Sequence, residues 1–202
     1  MAEMAKMVEL GVADETVRVG DHIAYFWETD REFDRGVEFL AFGLRGHDHG
    51  VIFGHPEANR KVVESLKAKG IAVDDLVESG RLNILGGASE GDLMLGSIAD
   101  CFQRAVAGGG ELIRLLGNIG WGHPDWPGQD DILAFEAKVT GAAKSFPCVV
   151  MCMYDVASVP GTVMVHGAFE THPLTFCRNV LRQNPFFVGL EEFREGGIPA
   201  QG

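Results

Sequence analysis

The sequence lacks an excess of positive charge and has no long apolar run. The chain has 17 lysine and arginine residues but 29 aspartate and glutamate residues, and its formal net charge is −12. Nucleic acids and anionic membranes both favour basic surfaces, so neither is expected as the main partner. No apolar run reaches the roughly 20 residues that span a bilayer, and the N-terminal residues, with acidic Glu3 and Glu9, do not resemble a secretion signal. We therefore expect a cytoplasmic protein.

Two motifs of catalysis are also absent. A phosphate loop, G-x-x-x-x-G-K-[ST], holds phosphates with its backbone amides and its lysine, and no such motif occurs in the chain. ATP hydrolysis is therefore not expected, and a degenerate nucleotide-binding domain without hydrolysis stays as one alternative. The G-x-S-x-G elbow of serine hydrolases is missing as well. We expect a protein that is not an enzyme.

Cysteine is scarce, and its four residues all lie in apolar runs. Free cysteine behaves there as a small hydrophobic residue, so Cys101, Cys148, Cys152 and Cys177 are predicted to be buried thiols without disulfides. The pair Cys148 and Cys152 does not indicate a shared metal ion. Four residues along a strand would separate the two by about 13 Å.

The residues that are present favour one packed domain. A chain of 202 residues with 46% hydrophobic residues can bury a substantial core without a disulfide or a structural metal. We expect residues 1–20 to be a loose lead-in with one helical turn around Met4–Leu10. Residues 21–202 are predicted to form a single domain.

From His22 onward, short apolar segments alternate with segments of helical periodicity. The spacing of Thr29 and Glu32 matches a capping box, and Pro56 suits the first turn of a helix. The alternation predicts right-handed crossovers and a mainly parallel sheet with helices on both faces, a three-layer α/β/α fold. The predicted strands are residues 22–27, 50–54, 81–85 and 148–153, and a further strand that runs from Glu111 into a loop at Gly117. The predicted helices begin after Thr29, run from Pro56 to Gly70, and cover residues 92–107, 130–144 and 160–170.

The C-terminal part has a different pattern. Residues 174–188 read as strand, turn and strand, with Asn184-Pro185 at the turn. They predict a C-terminal antiparallel extension at the edge of the sheet. An exposed edge at this position would allow the chain to form a homodimer.

The residues that follow the predicted strands indicate a binding site. In a parallel sheet the carboxyl ends of the strands share one edge, and ligands collect in the crevice there. The segment Glu111–His123 is the richest, because its glycines allow backbone angles that present the side chains between them. Aromatic rings, carboxylates and imidazoles suit a small organic molecule. The predicted ligand-binding residues are Trp27, Glu28, His55, Asn118, Trp121, His123, Tyr154 and Asp155.

The seven histidines suggest a second class of function, a metal or haem site. His47 and His49 form the densest pair, and two imidazoles one residue apart can chelate an ion if the loop bends. His55 or His123 could serve as a haem ligand. The metal alternative thus rests on His47, His49, His55 and His123. The isolated His22 and His172 are expected to hydrogen-bond to neighbouring backbone.

Seven short motifs, in order, resemble the MEDS domain, the methanogen/methylotroph DcmR-type sensory domain. The resemblance spans His22 to Phe193, about 170 of the 202 residues. The motifs are His22-Ile-Ala-Tyr-Phe-Trp-Glu28, Gly43-Leu-Arg45, Arg114-x-x-Gly117-Asn-Ile-Gly-Trp121, Phe135-Glu136-Ala137, Met153-Tyr154-Asp155, Thr171-His172-Pro173 and Asn184-Pro185-Phe186-Phe187.

The resemblance implies a fold related to RecA and the circadian-clock ATPases that has lost its phosphate loop. It also implies a soluble sensory domain with small hydrocarbon derivatives among its ligands. The partner would be a signalling protein, such as a histidine kinase, an anti-sigma factor or a transcription regulator. Two motifs depart from the family: its Gly-Glu-Met is Gly117-Asn118-Ile119 here, and its Gly-Glu after the first helix appears as His47-Asp48. The first change replaces a carboxylate by an amide at the predicted binding edge.

Overall fold

A computed structural model describes residues 6–86, 91–118 and 129–189. In these ranges two strands, β1 (Met7–Glu9) and β2 (Thr16–Arg18), form an N-terminal hairpin, and seven strands form the central sheet. The sheet strands are β3 (His22–Trp27), β4 (His49–Gly54), β5 (Leu82–Gly86), β6 (Ile113–Asn118), β7 (Cys148–Asp155), β8 (Leu174–Cys177) and β9 (Val180–Gln183).

Helices connect the strands and cover both faces of the sheet. Those on the first face, with β1–β2, enclose one apolar core, and those on the second face enclose another. The first face carries α1 (Asp30–Arg45), α2 (Pro56–Ala68) and α3 (Val73–Glu78). The second face carries α4 (Gly91–Ala107), α5 (Gln129–Ala143), and the short α6 (Gly161–Val163), which continues as the π-helix Met164–Phe169.

The strand order is β5-β4-β6-β7-β3-β8-β9. All neighbours from β5 to β8 are parallel, and β8 and β9 are antiparallel. The prediction of a mainly parallel three-layer sheet with a C-terminal antiparallel extension is confirmed. This topology gathers the carboxyl ends of six strands, β3 to β8, at one edge.

The predicted helix starts at Thr29 and Pro56 are confirmed. The Thr29 side chain accepts a hydrogen bond from the Glu32 backbone amide, and the Glu32 carboxylate accepts one from the Thr29 amide. Pro56 is the first residue of α2, where a missing amide hydrogen costs nothing. Both helices therefore begin where local chemistry alone placed them. The short α3 escaped prediction, because six residues carry too little periodicity.

The N-terminal residues form a β-hairpin instead of the predicted helical turn. Leu10 is fully buried in the core, and the Arg114 guanidinium donates hydrogen bonds to the backbone oxygens of Glu9 and Leu10. These bonds join residues more than 100 positions apart in sequence. Local periodicity contains no information about such a contact. The predicted helical turn was wrong over Met7–Glu9, and Met4 and Ala5 lie outside the described residues.

The turn between β8 and β9 lies earlier than predicted. It is formed by Arg178 and Asn179, with φ angles of 48° and 67°, and not by Asn184-Pro185. Asn184 instead donates hydrogen bonds to the backbone oxygens of Phe169 and His172. Cys177, the last residue of β8, is exposed, which corrects the prediction of four buried thiols.

Replacing Arg178 with glycine should stabilise the protein by up to about 1 kcal/mol. Hairpin turns with two positive φ angles favour glycine, because a Cβ is strained in that region. Chemical denaturation measures the change. The same substitution at exposed Arg182, inside β9, is the control and should destabilise by about 0.5–1 kcal/mol. Equal losses at both positions would show that the turn at residue 178 carries no strain.

Candidate functional site

The predicted binding edge exists, because the strand ends align across the sheet. Trp27 pairs with Asp155, and Gly54 pairs with Asn118. Asn118 in turn pairs with Met153, so the four strands end side by side. The predicted ligand-binding residues whose backbones this edge brings together are Trp27, Glu28, His55, Asn118, Tyr154 and Asp155.

Several of these residues take part in local structure. Glu28 is exposed. His55 is the N-cap of α2, and its Nδ1 accepts a hydrogen bond from the Glu57 amide at 3.3 Å. An oxygen of Asp155 accepts one from the Ala157 amide at 3.0 Å, in the turn after β7. The contacts of His55 and Asp155 belong to the turns after β4 and β7, and a role in ligand binding stays a prediction for all three residues.

Trp27 has a polar atom that is buried without a partner. Its ring packs edge to face on Phe33, at 5.2 Å between centroids, and the Lys61 ammonium lies 5.1 Å from its centroid. The indole Nε1 has no hydrogen-bond acceptor among the described residues. Trp121 and His123 were predicted at the same edge and lie outside the described residues.

Tyr154 points away from the edge and into a group of polar side chains inside the protein. Side chains alternate between the two faces of a strand, so His22 of β3 joins Cys152 and Tyr154 of β7 on the face that α5 covers. Glu136 reaches this place from α5, and His172 from the segment between the π-helix and β8. We call these five residues the buried cluster; none is more than 2% exposed.

The side chains of the buried cluster converge on the carboxylate of Glu136. Its Oε2 lies 3.4 Å from His22 Nε2, 3.5 Å from Cys152 Sγ and 3.7 Å from His172 Nε2. Its Oε1 accepts a hydrogen bond from the Tyr154 hydroxyl at 3.2 Å. His22 Nε2 is also 3.2 Å from Cys152 Sγ. A carboxylate, a thiol and two imidazoles thus share one small volume.

The outer nitrogens of both imidazoles are fixed by hydrogen bonds. His172 Nδ1 lies 3.0 Å from the Ala168 carbonyl oxygen, which can only accept, so this nitrogen carries the hydrogen. His22 Nδ1 lies 2.7 Å from Thr140 Oγ1, and that hydroxyl donates its own hydrogen to the Thr171 carbonyl oxygen at 2.6 Å. His22 therefore donates from Nδ1 as well. Each ring turns an unprotonated Nε2 toward Glu136 and Cys152.

Burial shifts the pKa values of the buried cluster towards neutral side chains. It raises the pKa of the Glu136 carboxyl from 4.5 to about 7 and lowers that of His172 from 6.5 to about 3. Burial, with the nearby His172, holds the pKa of His22 well below its usual range. Burial and then the charge of Glu136 raise the pKa values of Cys152 and Tyr154. The cluster holds uncharged imidazoles beside a carboxyl group that titrates near neutral pH.

The buried cluster also contains the donor atoms of a metal site. One atom each of His22, Glu136, Cys152 and His172 lie within 4.8 Å of one another. In the described part of the chain no comparable group includes the predicted His47, His49 or His55. His49 begins β4 and His55 follows it, at opposite ends of the strand, and His47 is exposed. The fourth predicted ligand, His123, lies outside the described residues.

Sequence reasoning missed this cluster although it named the motifs that carry it. His22, Glu136, Tyr154 and His172 each stand in one of the seven motifs quoted above. The expected backbone contact is confirmed for His172 but not for His22, which bonds to the side chains of Thr140 and Cys152. A polar residue on the buried face of each element was the signal that could have revealed the cluster.

A second feature on the same face is an apolar cavity between α4 and α5. It has a volume of about 150 Å³, and its walls are almost entirely apolar. Val139 of α5 and Val150 of β7 line it, each a few residues from the buried cluster in sequence. The other lining residues are Leu95, Ile98, Ala99, Phe102, Leu115, Ala142, Ala143 and Phe146.

The helices that surround these features do not include a membrane span. Within the described residues, no helix combines the length and the hydrophobicity that crossing a bilayer requires.

Comparison with known proteins identifies one family. The model of the family described as MEDS, the MEthanogen/methylotroph, DcmR Sensory domain, matches residues 21–173. This range contains all five residues of the buried cluster and every residue that lines the apolar cavity. No curated protein matches the chain.

Proposed function

The chain belongs to the MEDS family of sensory domains, and from this premise we propose that it binds a small, mainly apolar organic molecule in the cavity between α4 and α5. The domain then reports the binding event to a signalling protein and catalyses no reaction itself. The observation that carries the proposal is the cavity, a partly open space of about 150 Å³ lined by ten apolar or aromatic side chains. Small hydrocarbon derivatives fit such a space.

The size and lining of the cavity determine the class of ligand. Apolar cavities of about 150 Å³ stay free of water and bind molecules such as benzene or xenon. A charged ligand would lose its hydration here without gaining a hydrogen-bond partner. The ligand is therefore an uncharged molecule of a few carbon atoms, with room for at most a small polar group at the opening.

A ligand in this cavity would act through α5. The helix lines the cavity with Val139, Ala142 and Ala143, and its other contacts include the π-helix and the strands β3 and β7. A ligand changes the state of a domain only if its affinity differs between two arrangements. We propose that it favours one packing of α5 against α4, which a partner such as a histidine kinase, an anti-sigma factor or a transcription regulator recognises.

The strand-end edge is a second position for the same class of ligand. The observation in its favour is Trp27, because its buried indole N–H has no acceptor among the described residues. A ligand with a carbonyl or hydroxyl oxygen could accept that hydrogen bond, while Asn118 and Asp155 lie on neighbouring strands. Binding there needs a more polar molecule than binding in the cavity.

Replacing Ala99 with leucine should abolish binding of small apolar molecules. Ala99 lines the cavity from α4, and the added carbon atoms would occupy the space that the ligand needs. Benzene, short-chain alcohols, haloalkanes and ATP are titrated into the chain, with methyl NMR spectra of Leu95, Ile98, Leu115 and Val139 as the readout. We expect shifts with benzene at these methyl groups in the wild type and none in Ala99→Leu.

Two further variants separate the alternatives. Gln103→Leu adds the same side chain on the exposed surface of α4 and should leave binding unchanged. Trp27→Phe removes the indole N–H and should also leave benzene binding unchanged. If Trp27→Phe abolishes binding and Ala99→Leu does not, the ligand binds at the strand-end edge. If none of the small organic molecules binds the wild type, the proposed function is wrong, and binding of ATP alone would favour the nucleotide alternative.

A further inference from the structure

We propose that the buried cluster binds one zinc ion, through Nε2 of His22 and His172, the thiolate of Cys152 and a carboxylate oxygen of Glu136. Imidazole nitrogen, thiolate sulfur and carboxylate oxygen are the donor types of zinc sites in proteins, and four ligands complete the tetrahedron of a structural site. The inference is independent of the small-molecule ligand and goes beyond the sensory function.

The distances between the donor atoms fit a tetrahedral ion. Zinc bonds of 2.0–2.3 Å place neighbouring ligand atoms about 3.3–3.6 Å apart. Four of the separations in the cluster are 3.2, 3.4, 3.5 and 3.7 Å. No pair of donor atoms is more than 4.8 Å apart, so every pair lies within about 1.5 Å of the tetrahedral separation.

The hydrogen bonds around the cluster hold the ligands in the orientation that a metal requires. A histidine that ligates through one nitrogen usually donates from the other to a carbonyl or hydroxyl group. His172 donates to the Ala168 carbonyl and His22 donates to Thr140, which is itself fixed by the Thr171 carbonyl. The Tyr154 hydroxyl donates to the carboxylate oxygen of Glu136 that does not face the imidazoles. Every ligand except Cys152 thus has a supporting hydrogen bond.

One polar atom in the cluster has no hydrogen-bond partner among the residues that the structure describes. Nε2 of His172 belongs to a fully buried side chain, and it faces Glu136 at 3.7 Å, beyond hydrogen-bond distance. A buried polar atom without a partner is costly and calls for an explanation. Coordination of an ion at the centre of the cluster explains why this nitrogen points inward while Nδ1 is bonded on the outside.

The charges of the cluster balance when the ion is bound. A buried carboxylate is unfavourable without a nearby positive charge, and both imidazoles are neutral. A zinc ion with two positive charges compensates the Glu136 carboxylate and the Cys152 thiolate. The competing explanation is a metal-free network, in which Glu136 and Cys152 keep their protons. That network satisfies His22 but leaves His172 Nε2 with its long contact.

The test is to refold the full chain with metal, because all four ligands are buried and the ion has to enter as the chain folds. The chain is unfolded in denaturant, refolded with Zn²⁺ or Co²⁺, and freed of excess metal. We expect about one zinc per chain, as in four-coordinate structural sites. The cobalt form should show the intense visible bands of a tetrahedral ion and a thiolate-to-cobalt charge-transfer band in the near ultraviolet.

Variants then assign the ligands. His172→Ala should weaken zinc binding by roughly 100-fold or more, and Thr140→Val, which removes a supporting hydroxyl, by about 10–100-fold. Cys152→Ser should remove the charge-transfer band. The matched controls are His166→Ala and Cys177→Ser, because both residues are exposed and outside the cluster, and neither should change the affinity or the spectrum.

Three results would overturn the proposal. The first is a wild-type chain that regains its native circular dichroism but holds far less than one zinc per chain. The second is a wild-type cobalt form without a thiolate band. The third is a His172→Ala chain that binds zinc as tightly as the wild type. The first two are measured on the wild type, so a variant that fails to fold does not prevent a decision.

Discussion

Replacing Arg114 with alanine is expected to lower the free energy of unfolding by about 3–5 kcal/mol. Arg114 is 2% exposed in the middle of the fold, and its Nε donates to Asp48 Oδ2 at 2.6 Å. Its other two nitrogens donate to the backbone oxygens of Glu9 and Leu10. One side chain therefore joins β6, the turn between α1 and β4, and the N-terminal hairpin.

The expected loss comes mainly from the groups that the variant leaves behind. The Asp48 side chain is only 23% exposed, so its carboxylate would lose its partner without regaining full hydration. Two backbone oxygens would lose their donors, each at a cost of roughly 1–3 kcal/mol if water does not replace them. The guanidinium also packs on Phe39 and Phe42, at 5.1 and 5.2 Å from the ring centroids, and this contact disappears too.

Thermal and urea unfolding of the variant measure this loss. For a chain of this size, 3 kcal/mol corresponds to a decrease in Tm of roughly 6–12 °C. The control is Arg60→Ala, which breaks the exposed pair with Glu64, where both side chains are more than 60% exposed. Exposed pairs of this kind contribute about 0.3–0.5 kcal/mol. If Arg114→Ala lowers the free energy of unfolding as little as Arg60→Ala does, water enters beside Asp48 and hydrates the groups that the guanidinium leaves behind.

The sequence allowed prediction of the fold wherever local chemistry determines it. The capping box at Thr29 and the proline at position 56 fixed two helix starts, and the alternation of strands and helices predicted a parallel sheet. The prediction failed where contacts between residues far apart in the sequence determine the local structure. The hairpin around Leu10 depends on Arg114, and the position of the last turn depends on Asn184, whose side chain bonds to the segment before β8.

The candidate site was harder to predict, because burial changes the meaning of a polar residue. The alignment of Trp27, Asn118 and Asp155 followed from the parallel topology. The buried cluster did not, since its members come from β3, α5, β7 and the segment after the π-helix. Each of its histidines looked isolated in the sequence. The contact of Glu136 with both histidines follows from the packing of α5 on one face of the sheet, which the sequence does not show.

Binding of zinc to the buried cluster should also stabilise the fold strongly. An ion that binds the folded chain and not the unfolded chain adds about 4 kcal/mol when its free concentration is a thousand times Kd. For a chain of 202 residues this corresponds to a rise in Tm of roughly 8–16 °C. The cluster connects two strands of the sheet with α5 and with the segment between the π-helix and β8. Unfolding of any of these elements would release the ion.

Chelation of the metal during unfolding should reverse this gain. We expect the zinc-loaded chain, scanned with and without a strong chelator, to show two Tm values that differ by that amount. His166→Ala should keep the difference, because its imidazole is half-exposed and pairs with Glu170. His172→Ala should lose about two-thirds or more of the difference, because a 100-fold weaker affinity leaves only about 1.4 of the 4 kcal/mol at the same zinc concentration. A chelator that leaves the Tm of a wild-type chain with bound zinc unchanged would show that the ion is held outside the cooperative core and not by the buried cluster.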